Sequence, residues 1–118
     1  MKSELELLCS KYPKSIMGDY SINVSLIERG IIFMYAEWSP TIVQLRNLLL
    51  SLTNNSDIQL YIYDIDNSNS ISFFDQNGLH SEGWGETFWI KNGRLIAELK
   101  NYTSKDLHNL KRRNNLLQ

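Results

Sequence analysis

The chain has 118 residues, 42% of them hydrophobic and 21% charged, which is the balance of an ordinary globular protein and enough chain for one core. A formal net charge of −1 gives no reason to expect nucleic acid or a membrane as partner. No stretch approaches the ~20 apolar residues of a membrane span, and the N-terminus lacks the apolar run of a signal peptide. Cys9 is the lone cysteine, so an internal disulfide is excluded, and two histidines do not suggest a metal site. We therefore predict one cytoplasmic domain, 1–118, without metal or cofactor.

The first half of the chain predicts a helix, two strands and a second helix. Leucines spaced three apart indicate a short helix over 3–11, alternation predicts a strand over 20–27, and the apolar run 31–36 predicts a central strand after a break at 29–30. Ser39 and Pro40 form a helix-start signal, with Ser39 as N-cap and Pro40 in the first helical position. The apolar face of that helix comprises Ile42, Leu45, Leu48, Leu49 and Leu52.

The second half predicts a further strand over 58–65, a short helix around 71–74, and a hairpin of 87–90 and 95–99 with Asn92-Gly93 in its turn. A final helix begins at Ser104 as cap and has an apolar stripe of Leu107, Leu110 and Leu117. This order predicts an α/β fold, a central mixed sheet of four to five strands with helices on both faces.

Four local patterns in this order resemble thioredoxins. Residues 33–38 resemble the strand and Ala-Glu-Trp that lead into the thioredoxin active site, and 63–67 resemble the Val-Asp-x-Asp-x-Asn strand end. Residues 83–93 resemble the Gly-Ile-Pro-Thr strand and its Lys-Asn-Gly turn. Residues 104–107, Ser-Lys-Asp-Leu, resemble the start of the last helix, with Leu one position earlier than in the family's Ser-Lys-x-x-Leu. The resemblance covers roughly residues 20–117 and implies a thioredoxin-like fold.

The departures from the family pattern concern its redox chemistry. Counting on from Trp38, the Cys-x-x-Cys positions hold Ser39 and Ile42, and the position of the buried acid holds Phe33. The cis-proline position falls on Gly85 or Glu86, depending on a one-residue ambiguity. A serine hydroxyl cannot replace a thiolate in disulfide exchange. The resemblance therefore implies a redox-inactive member of the thioredoxin-like superfamily that is not an enzyme.

Charge is segregated along the chain. No Lys or Arg lies between Arg46 and Lys91, whereas seven basic and two acidic residues follow from Lys91 onward. In the arrangement that the resemblance implies, the acidic residues of this stretch would gather near the degenerate active-site loop, with two tryptophans beside them. The predicted partner-binding residues are Asp64, Asp66, Asp75, Glu82, Trp84, Glu86 and Trp38. The alternative is a solvated acidic face, with Asp64 and Asp66 as strand-end and turn residues.

The tryptophans divide by context. Trp84 lies between two glycines in a predicted loop, where exposed aromatics tend to be contact residues. We expect Trp38 to be partly buried under that loop. Phe88 and Trp89 are predicted core residues of a strand, and His80 and His108 are predicted at the surface.

These observations favour a non-catalytic protein-binding module. The leading hypothesis is an inhibitor or immunity protein that neutralises a basic bacterial toxin, such as a nuclease, through the acidic surface. The alternative is a redox-inactive chaperone or assembly factor of the hydrogenase-maturation type, holding a client peptide along 85–87. An enzyme that uses Cys9 as a peroxidatic thiol is a third hypothesis, disfavoured by the place of Cys9 in an opening helix.

Overall fold

The computed structural model describes residues 4–18, 20–38, 40–52 and 57–117. Its elements in chain order are α1 (Glu4–Cys9), β1 (Ser15–Met17), a 3-10 turn (Val24–Leu26), β2 (Arg29–Tyr35), α2 (Thr41–Ser51), β3 (Gln59–Asp64), α3 (Ser68–Gln76), β4 (Thr87–Lys91), β5 (Arg94–Leu99), a second 3-10 turn (Ser104–Asp106) and α4 (Leu107–Asn115). None of the helices in these ranges is long and apolar enough to cross a membrane.

The five strands form one mixed sheet in the order β1-β3-β2-β4-β5. The three strands β1, β3 and β2 are parallel, and β4 and β5 continue the sheet in antiparallel fashion. In the β4–β5 turn, Asn92 and Gly93 both have positive φ, as a tight two-residue hairpin turn requires. The prediction of a mixed sheet with a terminal hairpin is confirmed.

Alternating side chains of the sheet supply two separate cores. One face is buried against helices that include α2 and α4, and its sheet residues are Ile31, Phe33, Leu60, Ile62 and Trp89. The other face is buried against α3 and the first 3-10 turn, and its sheet residues are Ile32, Met34, Tyr63, Phe88 and Ile90. Because successive residues of a strand point to opposite faces, one apolar run serves both cores. Helices on both faces, and buried positions for Phe88 and Trp89, are as predicted.

The strand predicted over 20–27 is wrong. The first strand is instead Ser15–Met17, which pairs with β3, and the chain turns through Val24–Leu26. The Asn23 side chain accepts a hydrogen bond from the Ser25 amide, which gives the backbone a local alternative to strand pairing. The predicted break at Arg29-Gly30 is also wrong, because both residues lie in β2 opposite Lys91 and Ile90.

Several helix ends differ from the predictions. Helix α3 runs over Ser68–Gln76 instead of 71–74, because the Asn67 side chain caps it earlier by accepting from the Asn69 amide. Thr103, not Ser104, caps the last helical segment, in a reciprocal capping box with Asp106. Pro40 is the N-cap of α2 and lies outside its first turn, while the cap predicted at Ser39 falls outside the described residues.

Helices α2 and α4 are joined to β4 through one buried amide. Asn114 Oδ1 accepts the Trp89 indole N–H at 2.9 Å, and Asn114 Nδ2 donates to the carbonyl and hydroxyl oxygens of Ser51 at 3.1 and 2.9 Å. Asn114 is completely buried, so each bond satisfies a group that water cannot reach. This interior triad fixes α2, and with it the loop that precedes α2.

Candidate functional site

The carboxyl ends of β2 and β3 bring two loops together. Tyr35 and Asp64 form the last paired position of these parallel strands, and the Ile65 amide still donates to the Tyr35 carbonyl at 2.9 Å. Residues 36–38 and 65–67 therefore leave the sheet side by side. The carboxyl edge of parallel strands is where α/β folds commonly place their sites.

A buried threonine closes the β2–α2 loop. Thr41 Oγ1 accepts the Ala36 amide at 3.0 Å and donates to the Ala36 carbonyl at 2.9 Å, and both residues are fully buried. These two hydrogen bonds connect the first turn of α2 to the end of β2. Glu37 and Trp38 therefore lie on a short loop whose two ends are fixed.

Trp38 lies on the outer surface of this site. Its indole N–H donates to Asp66 Oδ1 at 2.9 Å, and its ring lies against Gly83, where a Cβ would come within 2.1 Å of the ring. Trp38 remains 64% exposed, so the expectation that the loop partly buries it is wrong. The ring rests on the backbone of the 81–86 loop and not beneath it, because Gly83 offers a flat surface without a side chain.

Glu86 organises that loop from inside. Its carboxylate is only 3% exposed and accepts hydrogen bonds from the Ser81 hydroxyl at 3.0 Å and from the Glu82 and Trp84 amides at 2.7 and 3.3 Å. Glu86, predicted as a partner-contacting residue, is therefore not exposed in the folded chain, and its carboxylate is bonded within its own loop. A carboxylate that accepts several donors is a strong local organiser.

Trp84 is held outward by the same loop. Its amide is bound to Glu86, its carbonyl accepts the Asn101 amide at 2.8 Å, and its ring is 48% exposed, as expected of a loop aromatic. The Lys100 ammonium lies 4.8 Å from the ring centroid, within reach of a cation–π contact. Trp84 thus presents an aromatic face beside one positive charge.

The remaining predicted acidic residues lie in two different places. Asp66 and Glu82 are exposed: Asp66 accepts the Trp38 indole N–H, and Glu82 precedes Gly83, against which that ring lies. Asp64 is half-buried, with Oδ1 accepting the Asp66 amide at 2.9 Å. Asp64 therefore also serves as the turn residue that the alternative interpretation expected. Asp75 lies in the last turn of α3, roughly 12 Å along the helix axis from Asn67, so it does not belong with these residues.

One member of the site was missed by sequence reasoning. Glu37 is exposed and directly precedes Trp38, and its position in the loop after β2 was the available signal. We call Trp38, Glu37, Asp64, Asp66 and Glu82 the Trp38 rim.

A tyrosine inside the rim reports the local field. Partial burial is the largest cause that raises the pKa of Tyr35, and the carboxylates of Glu37, Asp64 and Glu4 raise that pKa further. Negative charge disfavours the phenolate, which is the direction expected beside an acidic cluster. The Tyr35 phenol therefore lies within the influence of several carboxylates, two of them in the Trp38 rim.

The described positions that the sequence resemblance aligns with thioredoxin redox residues are buried or half-buried. Phe33 is fully buried in the core, Ile42 packs half-buried against the same core, and Gly85 is buried with a φ of +68° against Gln44. Ser39 falls outside the described residues. Gly85 and Glu86, the two candidates for the cis-proline position, are both buried, and the peptide bonds of the described ranges are all trans.

Cys9 lies at the far end of the sheet. Its carbonyl accepts a bond from Ser15, which opens β1 at the amino end of the parallel strands. Burial is the main cause that raises the pKa of the Cys9 thiol, against a smaller opposing contribution from a hydrogen bond with Ser15. A raised pKa reduces the thiolate fraction, which is the reactive form.

Solved structures similar to this one are thioredoxins and their relatives. Oxidised thioredoxin O2 from Arabidopsis thaliana is 19% identical, with 96% of this chain and 90% of that chain covered at a TM-score of 0.60. Reduced desulfothioredoxin from Desulfovibrio vulgaris Hildenborough is 12% identical over 75% and 84% of the chains, also at 0.60. Thioredoxin from Malassezia sympodialis is 14% identical over 85% and 89%, at 0.59. No protein-family model and no curated relative matches the chain. The likeness establishes a thioredoxin-like fold.

Proposed function

We propose that this chain is a non-catalytic protein-binding domain on a thioredoxin-like scaffold, and that the Trp38 rim is its binding surface. The observation that carries the proposal is an exposed tryptophan, bonded to Asp66 and resting on Gly83, at the sheet edge where the fold places its active site. Tryptophan is enriched among residues that dominate binding energies.

The absence of paired thiols supports a binding role. The sequence has one cysteine, Cys9, whose raised pKa and place at the amino end of β1 do not suit a nucleophile acting at the Trp38 rim. Phe33 and Ile42 leave no proton-transfer acid or resolving thiol at the corresponding positions. Redox inactivity is therefore part of the proposal.

Within this class we propose an inhibitor or immunity protein for a basic toxin domain, such as a nuclease. Three carboxylates flank Trp38 on exposed or half-exposed positions: Glu37, Asp66 and Asp64. A negative surface with an aromatic anchor matches a cationic partner and accelerates its association. Carboxylates of this kind can also occupy sites that a nuclease uses for phosphate.

The client-peptide alternative receives less support. Gly85, Glu86 and Thr87 are buried, the Gly85 carbonyl accepts the Thr87 hydroxyl, and the Glu86 carbonyl accepts the Met34 amide. An extended peptide that added along this segment would need free backbone groups. An interface made by exposed side chains fits the described contacts better.

The test is charge reversal of the rim. Tagged wild-type protein and a Glu37→Lys, Asp66→Lys, Glu82→Lys variant are used to recover partners from the native host, and the affinity of the recovered partner is then measured against salt. We expect the variant to lose at least about tenfold in affinity and most of the salt dependence. Asp64 is left unchanged because its carboxylate holds the turn.

A matched control carries the same change in net charge elsewhere. Glu28→Lys, Asp75→Lys and Glu98→Lys alter three exposed carboxylates outside the rim. If both triple variants bind equally well, the Trp38 rim is not the interface. Recovery of only the precursor of a metalloenzyme, bound through a peptide, would replace the immunity proposal with the chaperone alternative.

Redox inactivity is tested separately with the insulin disulfide-reduction assay. We expect no turnover above the uncatalysed rate. Measurable turnover that disappears in Cys9→Ser would show that the single thiol is catalytic and would overturn this part of the proposal.

A further inference from the structure

A second concave site lies away from the Trp38 rim. A groove of about 620 Å³ opens between α1, the 10–14 turn and the second half of α2. It lies at the amino end of the parallel strands, roughly 20 Å from the rim at ~3.3 Å per strand residue. The lining residues are Leu8, Lys11, Tyr12, Pro13, Lys14, Arg46, Leu49, Leu50 and Asp57. Its volume falls within the ~300–1,000 Å³ of small-molecule sites.

The floor of the groove is apolar and continuous with the core. Leu8, Tyr12 and Leu49 are 6–9% exposed members of the core cluster, and Leu50, 53% exposed, forms one lip. The Tyr12 hydroxyl donates to the Ile58 carbonyl at 2.7 Å, so its ring is fixed as part of the floor. An aliphatic chain could therefore be buried here against a preformed surface.

One wall of the groove carries two lysines on a fixed turn. Lys11 and Lys14 flank Pro13, the Lys11 amide donates to the Leu8 carbonyl at 3.1 Å, and the Lys14 carbonyl accepts the Leu60 amide at 2.9 Å. Among the residues that the structure describes, Arg46 of the groove forms an ion pair with Glu4, with Nη2 and Oε1 2.6 Å apart. Neither lysine takes part in that pair, and both belong to the lining, so they contribute positive charge to this wall of the groove.

We propose that this groove binds a single-chain aliphatic carboxylate, the chain on the leucine floor and the head group between Lys11 and Lys14. The two ammonium groups select an anion over a cation. Asp57 in the same lining disfavours a dianionic head group, so a monoanionic carboxylate fits better than a phosphate ester. This site is independent of the proposed function at the Trp38 rim.

The direct test is a titration of the full chain with decanoate below its critical micelle concentration, followed by amide NMR and calorimetry. We expect saturable shifts at Leu8, Tyr12, Leu49 and Leu50, with affinity rising about two- to fourfold for each methylene from octanoate to decanoate. Decyl phosphate and decyltrimethylammonium are run as matched probes and should bind more weakly. Tighter binding of either would overturn the assigned head group.

Variants place the head group. Lys11→Glu with Lys14→Glu should weaken decanoate by about tenfold or more, whereas Lys105→Glu with Lys111→Glu, the same charge change on exposed residues of the C-terminal segment, should leave it unchanged. Equal effects of the two pairs would overturn the site. In wild type, affinity should fall as salt is raised, and an affinity independent of salt would contradict the role of the two lysines.

Discussion

Glu82 and Glu86 lie four residues apart in one loop, and their surroundings are opposite. Glu86 is 3% exposed and accepts three hydrogen bonds from its own loop, whereas Glu82 is exposed and directly precedes Gly83, on which Trp38 rests. The same functional group therefore stabilises the loop at one position and is accessible to solvent at the other. The difference shows that the acidic run of this chain is not one surface, and that burial with donors decides the role of each carboxylate.

Removing each carboxylate in turn should have very different effects on stability. Glu86→Ala leaves the Ser81 hydroxyl and the Glu82 and Trp84 amides without their acceptor, so we expect a loss of about 2–4 kcal/mol in the free energy of unfolding. Glu82→Ala removes an exposed group and should change it by less than about 0.5 kcal/mol. Urea denaturation measures both. Equal losses would mean that the two residues do not differ in role.

The contact between the loop and Trp38 gives a second contrast, between two glycines. Gly83 and Gly78 both have positive φ, but a Cβ at Gly83 would collide with the Trp38 ring, whereas one at Gly78 meets nothing within 4 Å. We expect Gly78→Ala to cost about 1 kcal/mol for backbone conformation alone, and Gly83→Ala to cost more, about 2 kcal/mol. The Trp38 indole N–H resonance should shift only in Gly83→Ala. A shift in both variants would argue against the ring contact.

The buried tyrosines should make the stability of the fold depend on pH in the alkaline range. Burial, with a smaller contribution from Asp57, raises the pKa of Tyr12 from 10.0 to about 12. The folded pKa lies above the unfolded one, so the stability contributed by the neutral phenol is present below pH 10 and is lost as pH rises towards about 12. Complete burial raises the pKa of Tyr102 in the same direction.

The measurement for this prediction is the free energy of unfolding at about pH 9 and about pH 11. Wild type should lose stability between them, and Tyr12→Phe should lose less. A slope that Tyr12→Phe leaves unchanged would remove Tyr12 as a cause of the alkaline loss.

The smallest expected effect is a change in the pKa of Tyr35. Burial raises the pKa of Tyr35, and carboxylates of the rim raise it further. Burial also raises the pKa of Tyr102, where a hydrogen bond with Thr87 opposes the effect and no carboxylate contributes. High salt, or Glu37→Gln, should therefore lower the pKa of Tyr35 and leave that of Tyr102 unchanged. Tyrosine ring NMR across an alkaline titration separates the two. An unshifted Tyr35 would mean that the rim carries little negative potential.

Much of the fold was predictable because its signals are local. The apolar run of β2, the stripe of α2 and the Asn92-Gly93 turn each lie within a few residues, and all three elements formed as expected. The error at 20–27 arose because the Asn23 side chain, which accepts hydrogen bonds from the Ser25 amide and hydroxyl, competes with an alternating pattern. The strand that replaced it, β1, has only three residues, too few for a periodic signal.

The candidate site was predictable only in part. The resemblance indicated which loops would meet, and Trp38, Asp66 and Glu82 did come together. Asp75 lies away from these residues and Glu86 is buried, while Glu37 was not among the predicted residues. Each of these depends on something no local pattern carries: the full length of α3, three donors that converge on one carboxylate, and the exposure of a loop tip.

The sequence by itself determined the α/β class and the single cysteine, Cys9, because residue identity and short-range periodicity can be read directly from the chain. The tertiary structure alone decided which carboxylates face solvent, where Trp38 rests, and that Lys11 and Lys14 border an apolar groove. These features join residues far apart in sequence, such as Trp38 with Gly83 and Tyr12 with Ile58. Burial and electrostatic environment are properties of such contacts, and contacts exist only once the chain has folded.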